Sequence, residues 1–151
     1  MENEAAPPAV DRRPPFSPVI SLLTIASVWD AQLAAALKSV GLTTRKYALL
    51  AHIKATPGIS FSELARRSQI TVQTAHTAVR SLVVDGFVKD GTAHAGAASD
   101  LTVTERGARA LEQADAMLAR LDGILSDGVP KLADALRGLH EEPFGENLQR
   151  S

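Results

Sequence analysis

Thr71-Val72-Gln73-Thr74-Ala75-His76-Thr77-Ala78-Val79-Arg80-Ser81-Leu82-Val83-Val84-Asp85-Gly86-Phe87-Val88-Lys89-Asp90 is the stretch whose reading decides the fold. Thr71 is a hydroxyl N-cap, and Ala75, Ala78, Val79, Leu82 and Val83 recur at helical spacing to give one apolar face. Gly86 supplies a left-handed stop, and Phe87-Val88-Lys89-Asp90 reads as a short strand. The opposite stripe of the helix, Gln73, Thr74, His76, Thr77 and Arg80, is polar but nearly uncharged. A helix face that merely meets water usually carries Lys and Glu pairs. Gln, Thr, His and Arg can donate to and accept from base edges in a major groove. Taken alone, the stripe fits a Thr-rich solvated face equally well; its neighbours favour DNA.

Upstream, Ser60-Phe61-Ser62-Glu63 predicts a capping box, in which hydroxyl and carboxylate each accept from an unpaired backbone N–H. It opens a short helix with Leu64 and Ala65 inward, and Arg66-Arg67-Ser68-Gln69 reads as a turn. Before it, Thr43 or Thr44 caps a helix carrying Tyr47, Leu50 and Ile53, which ends at Thr56-Pro57-Gly58. Downstream, Gly91 to Ala98 is a loop of small residues, and Asp100-Leu101-Thr102-Val103 is a second strand. Helix, short helix, turn, helix and two-stranded hairpin make a winged helix-turn-helix. The predicted fold is therefore mainly α with a small β-hairpin, with long N- and C-terminal dimerisation helices.

Leu22, Ile25, Trp29, Leu33, Ala36 and Val40 are spaced 3 or 4 apart and share one face of a first helix, which Gly41 stops. Thr104 caps a long helix in which Leu111, Ala114, Leu118, Leu121 and Leu125 form a heptad-like seam. Ser126 to Pro130 breaks the chain, and Leu132, Leu136 and Leu139 mark a last helix. Leu22, Leu111, Leu118, Leu121, Leu125, Leu132 and Leu136 are the dimerisation candidates; for Leu111, Leu118, Leu121 and Leu125 core packing within one subunit is the alternative. The expected organisation is a disordered arm over 1–15, a dimerisation helix over 16–42 and a DNA-binding module over 43–104. Dimerisation helices over 105–140 and a frayed tail over 141–151 complete it.

The chain has 151 residues, 16 Lys+Arg, 17 Asp+Glu and no Cys. One domain with helical extensions fits that length, and the missing thiol excludes disulfides, thiolate metal sites and Cys nucleophiles. The near-neutral sum hides a division. Residues 43–109 hold nine basic and five acidic groups; the remainder holds seven basic and twelve acidic. A basic middle suits phosphate, and acidic flanks suit other work. The acidic, Pro-rich start is no secretory signal. The apolar stretch from Pro18 to Trp29, broken by Ser21, Thr24 and Ser27, reads as too short for a bilayer. A cytoplasmic protein without membrane partners is the expectation.

Gly41-Leu42-Thr43-Thr44, Ile59 to Ala65, Leu82-Val83-Val84-Asp85-Gly86-Phe87-Val88 and Val103-Thr104-Glu105-Arg106-Gly107 together resemble the multiple-antibiotic-resistance regulator (MarR) family over about residues 17–140. The resemblance implies a homodimeric winged-helix transcription factor, usually a repressor, released from DNA by small aromatic or phenolic ligands. It implies a recognition helix from Thr71 to Asp85 with Gln73, Thr74, His76, Thr77 and Arg80 toward DNA. Arg66, Arg67, Lys89 and His94 complete the DNA-binding candidates. Two departures stand out. The family wing usually carries an Asp-x-Arg element whose Arg enters the minor groove, yet Thr92 to Ala98 has no Arg or Lys, and His94 is its titratable group. Thr77 also stands where the recognition helix often has Arg. Weaker binding, a bent site, or use of Arg12 and Arg13 in the arm would follow.

Trp29, Arg45, Tyr47, His52 and Phe61 are the effector-binding candidates, in a cleft between dimer helices and DNA module where the family places its ligand. Trp29 fits the core as well. The four His residues lack metal-ligand spacing, so neither metal nor cofactor is expected. The expected partners are a palindromic DNA duplex, a second copy of the chain and a small aromatic effector. The competing reading is a winged helix with a degenerate wing that binds a protein or small molecule without sequence-specific DNA binding. An enzyme ranks below both, because no phosphate-cradling loop, carboxylate pair or activated nucleophile is evident.

Overall fold

The structure is a computed structural model that describes residues 14–94 and 97–141. Arg12 and Arg13 lie outside the described residues. Among the described residues, six helices and one hairpin follow in the order α1 (Pro18–Lys38), α2 (Thr44–Ala55), α3 (Phe61–Arg67), α4 (Val72–Val84), β1 (Val88–Asp90), β2 (Leu101–Val103), α5 (Glu105–Gly128) and α6 (Pro130–Glu141).

Helices α1 to α5 each begin where a hydroxyl takes an orphan N–H. The side chains of Ser17, Thr43, Ser60, Thr71 and Thr104 accept from the backbone N–H three residues on. Gly41 and Gly86, at φ 76° and 78°, supply the stops read in the sequence. The strands pair antiparallel with Val88 opposite Val103, Lys89 opposite Thr102 and Asp90 opposite Leu101. Gly58 donates to the Leu101 carbonyl at 2.9 Å and so ties the loop before α3 to the hairpin.

Leu37, Leu49, Leu50, Ile53, Leu64, Val79, Leu82 and Leu101 are the large residues at the centre of the core. They come from α1 to α4 and β2, and α5 adds Ala110, Leu111 and Ala114. The DNA-module candidate and the start of α5 therefore share one core. Leu111 packs inside that core at 7% exposure, so for this residue the within-subunit alternative holds and a dimer role does not. Leu118, Leu121, Leu125 and Leu132 are half-buried, whereas Leu22 and Leu136 are exposed.

Three local readings change. Arg66 and Arg67 are not in a turn but form the last turn of α3; the turn is Ser68-Gln69, with Gln69 at φ 52°. Ser60 caps α3 as expected, at 3.1 Å to the Glu63 N–H. The Glu63 carboxylate, however, takes bonds from Arg66 and Arg67, two charged donors within helical reach. Lastly, α1 runs on to Lys38 and by length and composition is long enough to cross a membrane. Its polar interruptions do not break the helix, since Thr24 donates back to the Ile20 carbonyl at 2.8 Å.

Candidate nucleic-acid interface

Thirteen residues form α4, with Ala75, Val79 and Leu82 buried. The apolar anchor fixes which side chains point outward. Gln73, Thr77, Arg80 and Val84, spaced 4, 3 and 4 apart, fall on one line of the helix, and all four are exposed. Of the polar stripe expected on α4, Gln73, Thr77 and Arg80 are exposed while Thr74 and His76 are half-buried, and the five differ in what they have left to offer. Thr74 is half-buried, and its hydroxyl meets the Thr71 hydroxyl at 2.8 Å. His76 stacks on Phe61 of α3, ring centres 3.8 Å apart and planes 20° from parallel. Thr77 donates its hydroxyl to the Gln73 carbonyl at 3.1 Å. Among the described residues, nothing hydrogen-bonds to the side-chain polar groups of Gln73 and Arg80.

The other basic candidates fall into two groups. Glu63 accepts from Arg66 Nε at 2.9 Å, Arg66 Nη2 at 2.6 Å and Arg67 Nε at 2.7 Å. Hydrogen bonds from Arg66 and then Arg67 hold the Glu63 carboxyl down at about 2, well below its ordinary value. Arg67 also donates to the Thr56 hydroxyl at 3.0 Å. Arg66 is the more exposed of the two, so one charge of the pair faces outward. Lys89 on β1 and His94 in the wing are exposed. Lys46 pairs with Asp85 at 2.5 Å, which ties the start of α2 to the end of α4.

Between α4 and the wing lies a cavity of about 560 Å3. Phe61, Val79 and Val83 give it apolar walls, and Arg80, His76 and His94 give it donors. The Asp90 carboxylate also lines it and accepts from the Thr92 N–H at 3.0 Å and from the Thr92 hydroxyl. Val83, expected inward, is instead 39% exposed and lines this cavity.

The five effector candidates do not share one cavity. Trp29 lines an apolar groove of about 210 Å3 between α1 and α5, with Leu33, Leu118, Leu121 and Leu125. Tyr47 faces α5 and donates to Asp115 at 2.8 Å. Burial, then that bond and the nearby Asp115 and Asp122 charges, push the Tyr47 phenol up to about 12. Arg45 sits two residues away and hence on the other side of α2. It lines a shallow depression with Gln73, Thr74, Thr77, Ala78 and Ser81 of α4. Phe61 lies against His76, and His52 is half-buried in the last turn of α2.

Residues 40–96 match the model of the MarR family. The HTH-type transcriptional repressor Rv2887 of Mycobacterium tuberculosis (strain ATCC 25618 / H37Rv) is 30% identical over 102 residues, which cover 67% of this chain and 73% of the relative. This chain belongs to the MarR family. The repressor Mb2911 of Mycobacterium bovis matches with the same identity and coverage. Among solved structures, M. tuberculosis Rv2887 in complex with DNA superposes with a TM-score of 0.67, 26% identity and coverage of 84% of this chain and 98% of that one. Its complex with p-aminosalicylic acid gives 0.65 and 26%, over 83% and 98%. The MarR family transcription regulator SP03579 gives 0.73 at 20% identity, over 88% and 91%, a likeness of fold.

In this MarR chain one exposed position on the α4 line, Val84, was not among the sequence candidates, and Arg45, read in the sequence as an effector candidate, lies beside α4 instead. Val84 is 85% exposed; its place eleven residues after Gln73 was the available signal, masked by its apolar neighbours. Arg45 stands beside the reading face, and only the packing of α2 against α4 puts it there.

Proposed function

We propose that this protein is a homodimeric MarR repressor that binds a palindromic duplex through α4 and is released by a small aromatic acid. The carrying observation is the exposed line Gln73, Thr77 and Arg80 on a helix anchored by a buried apolar face, in a family whose relatives are transcriptional repressors. The Rv2887 complexes with DNA and with p-aminosalicylic acid support both halves of the reading. A regulator of this kind works in the cytoplasm.

Dimerisation follows from the apolar surface a single copy leaves in water. Phe16, Val19, Ile20, Leu22, Leu23 and Val28 are each more than half exposed around the start of α1. Ile124 of α5, Val129 between α5 and α6, and Leu136 and Leu139 of α6 add to them. Surface of that kind marks an interface, and a two-fold dimer offers two copies of α4 about one helical turn of DNA apart.

The α4–wing cavity suits the effector. An aromatic ring fits its Phe61, Val79 and Val83 walls, and Arg80 can take the carboxylate. Arg80 also belongs to the reading line, so ligand and DNA compete for it. The test is a fluorescence-anisotropy titration of a palindromic promoter duplex at several salt concentrations, with and without salicylate. Log affinity should fall linearly with log salt, and salicylate should weaken binding in the protein but not in Arg80→Ala. Flat salt dependence contradicts the DNA reading; salicylate acting equally on both proteins moves the effector elsewhere.

A further inference from the structure

We propose that the protein reads an adenine–thymine element through Gln73 and the methyl group of Thr77, while Arg45 of α2 holds the neighbouring phosphate. The proposal rests on the DNA-binding reading above and deepens it.

Five side chains of α4 were candidates for reading bases, and three of them, Thr74, His76 and Thr77, already have partners within the protein. The Thr74 hydroxyl is shared with Thr71, and His76 is stacked flat on Phe61. The Thr77 hydroxyl turns back to the Gln73 carbonyl at 3.1 Å. That bond uses the hydroxyl proton, so this exposed residue is left with its methyl and an acceptor oxygen, and no donor, for an outside partner. A methyl in a major groove complements the thymine 5-methyl. Gln73 lies one turn earlier on the same line, with its carboxamide unspent among the described residues. A carboxamide matches the adenine N6 and N7 edge in a bidentate pair. Residues one turn apart on a helix lie about 6 Å apart along its axis, within the span of two base-pair steps. Together they select A·T pairs.

Arg45 completes the arrangement. It is exposed and lines the same depression of about 290 Å3 as Gln73, Thr74, Thr77, Ala78 and Ser81. No carboxylate pairs with it among the described residues, unlike Lys46, Arg66, Arg67 and Arg109. Asp30, the acidic group lining the depression on its other side, accepts from the Thr44 hydroxyl at 3.1 Å. A cation there, flanking a base-reading stripe, meets the strand backbone rather than a base. It compensates for the wing loop from Thr92 to Ala98, which has no Arg or Lys.

The test is selection from a random duplex pool with the full-length protein and with Gln73→Ala, Thr77→Ser and Arg45→Ala, followed by binding to the selected site. Thr77→Ser removes the methyl and keeps the hydroxyl bond, so the fold is preserved. The wild-type motif should carry an adenine and a thymine in each half-site. Gln73→Ala should lose the adenine preference and roughly 5- to 150-fold in affinity. Thr77→Ser should lose about 4-fold, and replacing that thymine by deoxyuridine should weaken the wild type equally but leave Thr77→Ser unchanged. Arg45→Ala should keep the motif, bind all sequences more weakly and reduce the salt slope by about 1. Salt-dependent binding with a motif unmoved by Gln73→Ala and Thr77→Ser overturns this readout alone. An unchanged salt slope in Arg45→Ala overturns the anchor. Absence of binding to any duplex overturns the underlying DNA reading.

Discussion

Gly107 shows how tightly single residues constrain this fold. A Cβ placed there would lie 2.1 Å from the Phe87 carbonyl oxygen and 2.9 Å from the Val103 side chain. The contact is with backbone, which cannot swing aside. Beside it, Thr104 donates its hydroxyl to the Gly86 carbonyl at 2.6 Å and accepts from the Gly107 N–H at 3.0 Å. The hairpin and α5 are joined there with no spare volume. Gly107→Ala should therefore destabilise the protein by about 1–3 kcal/mol or more, measured by urea unfolding; an unchanged midpoint would mean that the two elements separate freely. Tyr47 makes a second prediction at this scale. It is the single Tyr of the chain, so an ultraviolet titration reports it alone, and its proton should leave near pH 12 rather than 10. Because the folded-state value is the higher one, the unfolded chain ionises first. The Tyr47 contribution to stability is complete below pH 10 and disappears as pH rises toward 12. Tyr47→Phe should remove that part of the alkaline loss; ionisation at the ordinary value would show that Tyr47 is not held against α5.

At the scale of elements, helix positions were legible because caps, glycines and apolar spacing are local signals. Thr71, Gly86 and the Ala75, Val79 and Leu82 stripe mark α4 in the sequence itself, and Thr104 marks the start of α5. Element ends were less legible where two interactions compete for one group. Glu63 could complete a capping box or pair with Arg66 and Arg67, and only the folded geometry decides between neutral and charged donors. The apolar flanks were ambiguous for a different reason. Spacing alone cannot separate a seam that faces a partner from one that faces the chain's own core. Leu111 belongs to the core, whereas Leu22 on α1 and Leu136 on α6 are exposed at 53% and 41%. The dimer prediction follows from the second group. Leu22→Glu and Leu136→Glu should each weaken self-association, since each buried Leu is worth about 1.5–3 kcal/mol and two-fold symmetry counts it twice. Sedimentation across a dilution series measures this. A dimer of undiminished strength in both variants would place the interface on another face.

Over the whole molecule, α2 is the element that ties the parts together. Thr44 donates to Asp30 of α1 at 3.1 Å, Lys46 pairs with Asp85 after α4, and Tyr47 donates to Asp115 of α5 at 2.8 Å. Adjacent residues of one helix point to different sides, so three neighbouring positions reach three other elements. The same fact divides the effector candidates: Arg45 lies beside α4 and Tyr47 against α5. Sequence spacing placed both on one helix but not on which side of it the rest of the protein would pack. The uneven charge, basic through residues 43–109 and acidic beyond, now falls on the module that carries α4 and the wing. In the proposed dimer, two copies of α4 enter neighbouring major grooves of one duplex. The most direct measurement is the spacing of half-sites in DNA selected from a random pool. The prediction is an inverted repeat with half-sites about 10 bp apart, centre to centre; a pool that yields no repeated element, or a single half-site without its inverted partner, would contradict it.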